Sequence, residues 1–213
     1  LLWRRDQEPH DPGENLIVAP FDTELFGHWW FEGVDFVADL YRELATRGGP
    51  NPRTASAHLA AEPPEAAIAL APGSWGANGD FSMWLNQGTR WTWERLWPLE
   101  QRFWNTASAA LRDPACHTVL AQAARELLLL QSSDWQFIIS TGAAADYGSQ
   151  RFLGHAEHLA ALVSALEPGG RGRLAAANEL AERVRKQDGL FPDILSSLTA
   201  VLDGGTAGRQ DGR

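Results

Sequence analysis

Residues 19 to 36, APFDTELFGHWWFEGVDF, place four carboxylates, a histidine and two adjacent tryptophans directly behind a short apolar run. That mixture suits a site gripping something flat and polar better than it suits a packed core. Asp22 is the first candidate for chemistry, and two readings of it stand side by side. It caps a turn after a strand, as aspartate often does, or it is a general acid/base carried on a strand end. In the second reading Phe26, Trp29, Trp30 and Phe31 bury it, and aromatic burial disfavours an ionised carboxyl, as a proton donor near neutral pH requires. Glu24, two residues on, reads as a hydrogen-bonding partner of Asp22, and Glu32 as a solvated side chain. His28 has no second His, Cys or Asp at metal-ligand spacing, so neither a metal nor a cofactor is expected.

A second cluster lies in GSWGANGD, residues 73–80. The loop lacks the Gly-Lys-Ser/Thr ending of a phosphate loop, and its glycines do not follow the dinucleotide fingerprint. Here the glycines let the backbone turn tightly and push Trp75 outward. An outward indole beside Asn78 and Asp80 suits a sugar, whose C–H face lies on the ring while polar groups take the hydroxyls. The competing reading makes Trp75 and Trp84 part of a helical core. His117, His155 and His158 fall on predicted helices without a nucleophile partner and read as surface or packing residues. No Gly-x-Ser-x-Gly elbow supports a serine hydrolase.

These residues need elements to position them. NLIVAPFD reads as a buried strand, Leu16 to Ala19, stopped by Pro20, with Asp22 just beyond its C-terminal end, where α/β folds carry active-site groups. Val37, Leu40, Tyr41 and Leu44 follow helical spacing up to Gly48 and Gly49. Thr54 or Ser56 caps a short helix before Pro63, and residues 66–71 read as a second strand. The chain is then helical almost to its end. Trp93, Leu96 and Trp97 share a face, Pro98 kinks or restarts the helix, and Phe103, Ala107 and Leu111 continue it. Asp113-Pro114 opens a helix with Leu120, Ala123, Leu127 and Leu128 inward. Ser132 or Ser133 caps a turn through Ile139. Tyr147 to Leu162 and Leu174 to Val184 mark two more helices.

The expected fold class is α/β plus α: the terminal strands and helices of an incomplete (β/α) barrel in residues 1–70, a helical C-terminal domain in 71–203, and a flexible tail in 204–213. Residues 1 to 13 read as a loop. Two βα units cannot cover both faces of a sheet, and the only methionine is Met83, so an upstream half with the missing strands is expected.

Composition narrows the partners. The 213 residues carry a formal net charge of -9, with no long basic run, which argues against a nucleic acid or an anionic membrane as partner. No apolar stretch approaches the roughly 20 residues of a bilayer span. A single cysteine, Cys116, allows no internal disulfide and fits a reducing, cytoplasmic compartment. Ten tryptophans stand against two tyrosines, and nine of them lie between Trp3 and Trp104.

FDTELFGHWWFEG closely resembles the region of family-57 glycoside hydrolases that carries the catalytic acid/base aspartate. GSWGANGDFSMWLN followed by WTWERLWPLE resembles that family's last motif, and SSDWQFIISTGAAADYGSQRFLGH is similar to the C-terminal helical domain of its 1,4-α-glucan branching enzymes. The three stretches run in the family's order. The resemblance implies a retaining transfer on α-1,4-glucan, with Asp22 as acid/base, Trp75 and Trp84 lining the glucan cleft, and His28 and Trp29 shaping the site around Asp22. It implies a glutamate nucleophile in an earlier motif, which is absent from this chain, so the chain alone is expected to be inactive. An acceptor site lined by Trp75, Trp84, Trp91 and Trp93 would favour transfer over hydrolysis. A related α-glucan hydrolase, a 4-α-glucanotransferase, or a glucan-binding module for the isolated chain remain alternatives.

Overall fold

The computed structural model describes residues 16–47 and 50–207, with side chains to Leu202. The chain divides into two compact units, Leu1–Leu70 and Ala71–Arg213. The loop expected over residues 1–13 lies outside the described residues, as does the glycine stop at 48–49.

In the first unit a 3-10 turn, Thr23–Phe26, leads into helix α1, Gly33–Arg47, and a short helix α2, Ala55–Ala61. Thr54 caps α2, its Oγ1 accepting from the Ala57 N–H at 3.1 Å, and the helix ends before Pro63 as read from the sequence. The strands expected at Leu16–Ala19 and 66–71 are not formed, and no strand occurs among the described residues. A strand exists only through a ladder of hydrogen bonds to a neighbour, and no second strand pairs with either segment. The barrel portion of the expected fold is therefore not seen, whereas the helical portion is. Leu16, Val18, Phe31, Val34, Ile68 and Leu70 are exposed, and α1 buries only Gly33.

The second unit is a helical bundle. Its elements are α3 (Arg90–Leu111), α4 (His117–Leu130), α5 (Asp134–Thr141), α6 (Ala145–Leu166), α7 (Leu174–Arg185) and α8 (Ile194–Ala207). Helix α3 runs on through Pro98 without a restart. Asp113 caps a 3-10 turn, Pro114–Cys116, which feeds α4. Helix α6 is the hub, packing against α3, α4, α5 and α7. The core joins Leu96, Phe103 and Ala107 of α3 to Leu120, Ala123 and Leu127 of α4 and Phe152, Leu159 and Leu162 of α6. Leu128, expected inward, is exposed, and Trp97, expected on one face with Leu96, is exposed while Leu96 is buried. Leu127 and Leu130 already fill the α4 side of the core, and Leu128 is turned by one residue away from it. Helix α8 continues to Ala207, into the expected tail: a helix begun at Ile194 gains one hydrogen bond per added residue and meets no proline there. Residues 208–213 lie outside the described residues. Among the described residues no helix is long and apolar enough to cross a membrane.

Arg102 of α3 grips Glu167, at the end of α6, through two hydrogen bonds of 2.7 and 3.1 Å. Those bonds hold the Glu167 carboxyl below the usual carboxylate range. The folded chain thus binds that proton less readily than the unfolded chain does. The stabilisation is complete above the unfolded carboxyl value of about 4.3 and is lost as pH falls through the folded one. The stability difference between wild type and Glu167→Gln, read by urea unfolding, is expected to be full near neutral pH and to close in acid.

Candidate functional site

The aspartate motif folds onto itself through its aromatic rings. Phe21, Phe26, Trp30 and Phe36 form a chain of contacts with centroids 5.6, 6.0 and 4.7 Å apart. Gly33 lies so close to the Phe26 backbone that a Cβ would stand 3.0 Å from its Cα. This inner cluster leaves Trp29 77% and Phe31 98% exposed, with His28 edge-on against Trp29 at 4.9 Å. Asp22 stands at the head of the 3-10 turn in extended conformation, and its side chain makes no cap hydrogen bond. Its carboxylate is exposed. The expected burial of Asp22 beneath Phe26, Trp29, Trp30 and Phe31 is thus absent, because Phe26 and Trp30 are engaged with each other while Trp29 and Phe31 face outward. Glu24 and Glu32 are exposed as well.

In the helical unit the tryptophan loop is built as a small rigid knot. The Ser74 N–H donates to Gly79 O at 2.9 Å, the Gly79 N–H to Gly76 O at 2.9 Å, and the Gly76 N–H to Ser74 Oγ at 3.0 Å. Asn78 adopts φ 61°, a left-handed conformation that asparagine tolerates better than most residues. A Cβ on Gly76 would stand 2.9 Å from the Trp84 ring, so glycine is what lets the indole slide beneath the loop. Trp75 emerges 78% exposed. Ser82 donates its hydroxyl and its N–H to Asp80 Oδ1, which holds that exposed carboxyl below its usual range.

Trp84 is half-buried and serves the scaffold as well as the surface. Its Nε1–H donates to Ser133 O at 3.1 Å, and its own carbonyl accepts from Trp93 Nε1 at 2.8 Å. Trp91 packs edge-on against Phe152 of the core at 5.3 Å. Trp91 thus packs against the core, while Trp93, half-buried, has its ring 5.8 Å from that of the exposed Trp97. Asn86 ties the loop's far end: its Nδ2 donates to Ser82 O and Ser140 Oγ, both at 2.8 Å, and its Oδ1 accepts from the Gly88 and Thr89 N–H groups. Ser140 donates in turn to Met83 O at 2.6 Å. Helix α5 is thus the seat of the loop, a role that nothing in the local sequence announces.

Sequence reasoning also missed a buried ionic network. His155 is 2% exposed, Glu126 is fully buried, and His155 Nδ1 lies 2.8 Å from Glu126 Oε2. Arg151 Nη2 lies 3.1 Å from His155 Nε2 and 3.5 Å from Asp188 Oδ1. Because a guanidinium only donates, Nε2 accepts and Nδ1 carries the hydrogen given to Glu126. Gln122 donates to the other Glu126 oxygen at 2.8 Å. Donor atoms of Glu126, His155 and Asp188 come within 4.8 Å of one another, as a metal site would need. The Arg151 cation already stands against two of the three, so the arrangement is an ion-pair network joining α4, α6 and the turn after α7. Its only sequence signals were the i, i+4 pairs Gln122/Glu126 and Arg151/His155.

Comparison with known proteins follows the same lines. Residues 96–198 match the family model described as 1,4-alpha-glucan branching enzyme, C-terminal. The chain is 43% identical over 164 residues to 1,4-alpha-glucan branching enzyme TK1436 of Thermococcus kodakarensis, covering 76% of this chain and 24% of that protein. The crystal structure of a GH57-type branching enzyme from Pyrococcus horikoshii superposes with a TM-score of 0.70 at 41% identity, over 84% of this chain and 34% of that one. The alpha-amylase AmyC from Thermotoga maritima superposes at 0.54 with 31% identity, over 83% of this chain and 32% of that one. The chain spans about a quarter to a third of the length of these proteins. The resemblance drawn from the three motifs is borne out.

Proposed function

We propose that this chain, which belongs through residues 96–198 to the C-terminal domain family of 1,4-alpha-glucan branching enzymes, is the part of a longer branching enzyme that supplies its acid/base and a glucan platform. The reaction moves a stretch of α-1,4-glucan onto the 6-hydroxyl of another glucose unit. A glutamate outside this chain forms the covalent glycosyl-enzyme. Asp22 protonates the departing glycosidic oxygen, then takes the proton of the acceptor hydroxyl as the new bond forms, and the two carboxyls stand about 5 to 5.5 Å apart. His28 and Trp29 shape the surroundings of Asp22. The exposed apolar residues of the first unit support a cover provided by the rest of the enzyme, within which 16–19 and 66–71 become barrel strands and Asp22 is buried.

The observation that carries this reading is Trp75. A large flat apolar ring, held outward on a hydrogen-bonded loop, is a platform for the C–H face of a glucose ring. Trp84 lines the same cleft while anchoring it. Titration calorimetry of the complete gene product with maltoheptaose is expected to show binding that Trp75→Ala weakens roughly tenfold, the loss of one aromatic stack. Unchanged affinity in that variant would remove Trp75 from the glucan site. The likeness to AmyC supports a second reading, an α-glucan hydrolase or a 4-α-glucanotransferase built on the same Asp22. The isolated chain, without a nucleophile, would bind glucan and not turn it over.

A further inference from the structure

We propose that Phe137 is a positioning residue for the Trp75 platform, backing the indole from helix α5 so that its free face is held ready for a glucose ring. The inference rests on the glucan-binding reading of Trp75 and names what aims it.

The hydrogen bonds of the 73–80 loop fix the Trp75 backbone and leave the ring to its two side-chain torsions. An indole that is 78% exposed has little else to restrain it. Ordering such a side chain on binding costs about 0.5–1.5 kcal/mol, which a preset rotamer avoids. Among the described residues Phe137 is the one aromatic ring set against Trp75, with centroids 5.5 Å apart and planes inclined at 53°. That separation and tilt lie within the favourable range for aromatic pairs.

Phe137 is itself held in register with the loop. It is half-buried, and the residue before it, Gln136, is locked into the core by a 3.0 Å hydrogen bond to Thr92 Oγ1. On the same short helix Ser140 bonds Asn86 and Met83, and just ahead of it the Ser133 carbonyl takes the Trp84 indole N–H. The loop and Phe137 are thus fastened together on both sides of the Trp75–Phe137 contact. The aim of the platform depends on a helix about sixty residues further along the chain, a dependence that loop sequence alone does not reveal.

The test is maltoheptaose binding by the complete gene product, measured by titration calorimetry for wild type, Phe137→Ala, Phe137→Leu, Phe137→Tyr, Trp75→Ala and Trp75→Ala/Phe137→Ala. Phe137→Ala and Phe137→Leu are expected to weaken binding about fivefold, and Phe137→Tyr to stay within about twofold, since it keeps the ring. Phe137→Leu preserves apolar packing on α5 and so answers for the alanine variant if that one unfolds. A residue acting only through Trp75 adds nothing once Trp75 is gone, so the double variant is expected to bind no more weakly than Trp75→Ala. Wild-type affinity in Phe137→Leu, with Trp75→Ala still impaired, would overturn the positioning role and leave the platform standing. A double variant weaker than Trp75→Ala by the full Phe137 factor would overturn it too, by making Phe137 an independent sugar contact. If Trp75→Ala binds like wild type, the platform itself fails and this inference falls with it.

Discussion

Asp22→Asn in the complete gene product is expected to lower branching by about 10²- to 10⁴-fold, the range over which a positioned general acid/base acts. Asparagine keeps the size of the side chain and cannot give a proton to the leaving oxygen or take one from the acceptor. The same change is expected to leave the melting temperature unmoved, because asparagine matches aspartate in size and the Asp22 side chain makes no cap hydrogen bond to lose. Maltoheptaose affinity should also hold, since the Trp75 loop belongs to the other unit. A capping role would give the opposite pattern, a stability loss of about 1 kcal/mol with activity retained. Parallel assays of linkage formation and thermal unfolding on one preparation separate the two.

The largest expected effect on stability lies away from the chemistry. Glu126→Ala strips a fully buried carboxylate from the two donors that hold it, His155 Nδ1–H and Gln122 Nε2–H. Leaving a buried hydrogen-bonding group without its partner costs about 1–3 kcal/mol, and more where that partner was charged. The calorimetric transition of the helical unit is expected to fall accordingly, whereas Glu182→Ala, which loses only an exposed pair with Arg185 on α7, should change little. A joint Glu126→Leu/His155→Leu replacement is expected to recover part of the loss, because apolar packing needs no counter-charge. If Glu126→Ala melted like wild type, the network would not be holding α4 to α6.

These two cases mark where the sequence could be read and where it could not. Helical periodicity placed α1, α4, α6 and α7, and local capping chemistry placed Thr54 and Asp113, because such signals lie within a few residues of the element they define. The outward Trp75 followed from glycines flanking it in a tight loop. Strands were another matter: an apolar run such as Leu16 to Ala19 states a need for burial and not its partner. The same limit hid the fate of Asp22, whose aromatic neighbours pair among themselves here. Glu126 with His155, Phe137 with Trp75, and Asn86 with Ser140 are contacts across 29 to 62 positions of sequence. The i, i+4 pairs Gln122/Glu126 and Arg151/His155 were the only hint of the first, and the other two left none.

The central claim is that the complete protein makes branches. The direct measurement is to incubate the purified gene product with amylose, cut the product with a debranching enzyme specific for α-1,6 bonds, and count the chains released. The account predicts new α-1,6 linkages that rise with time and are absent with Asp22→Asn. Amylose that is only shortened or re-lengthened through α-1,4 bonds, with no chains released on debranching, would contradict it.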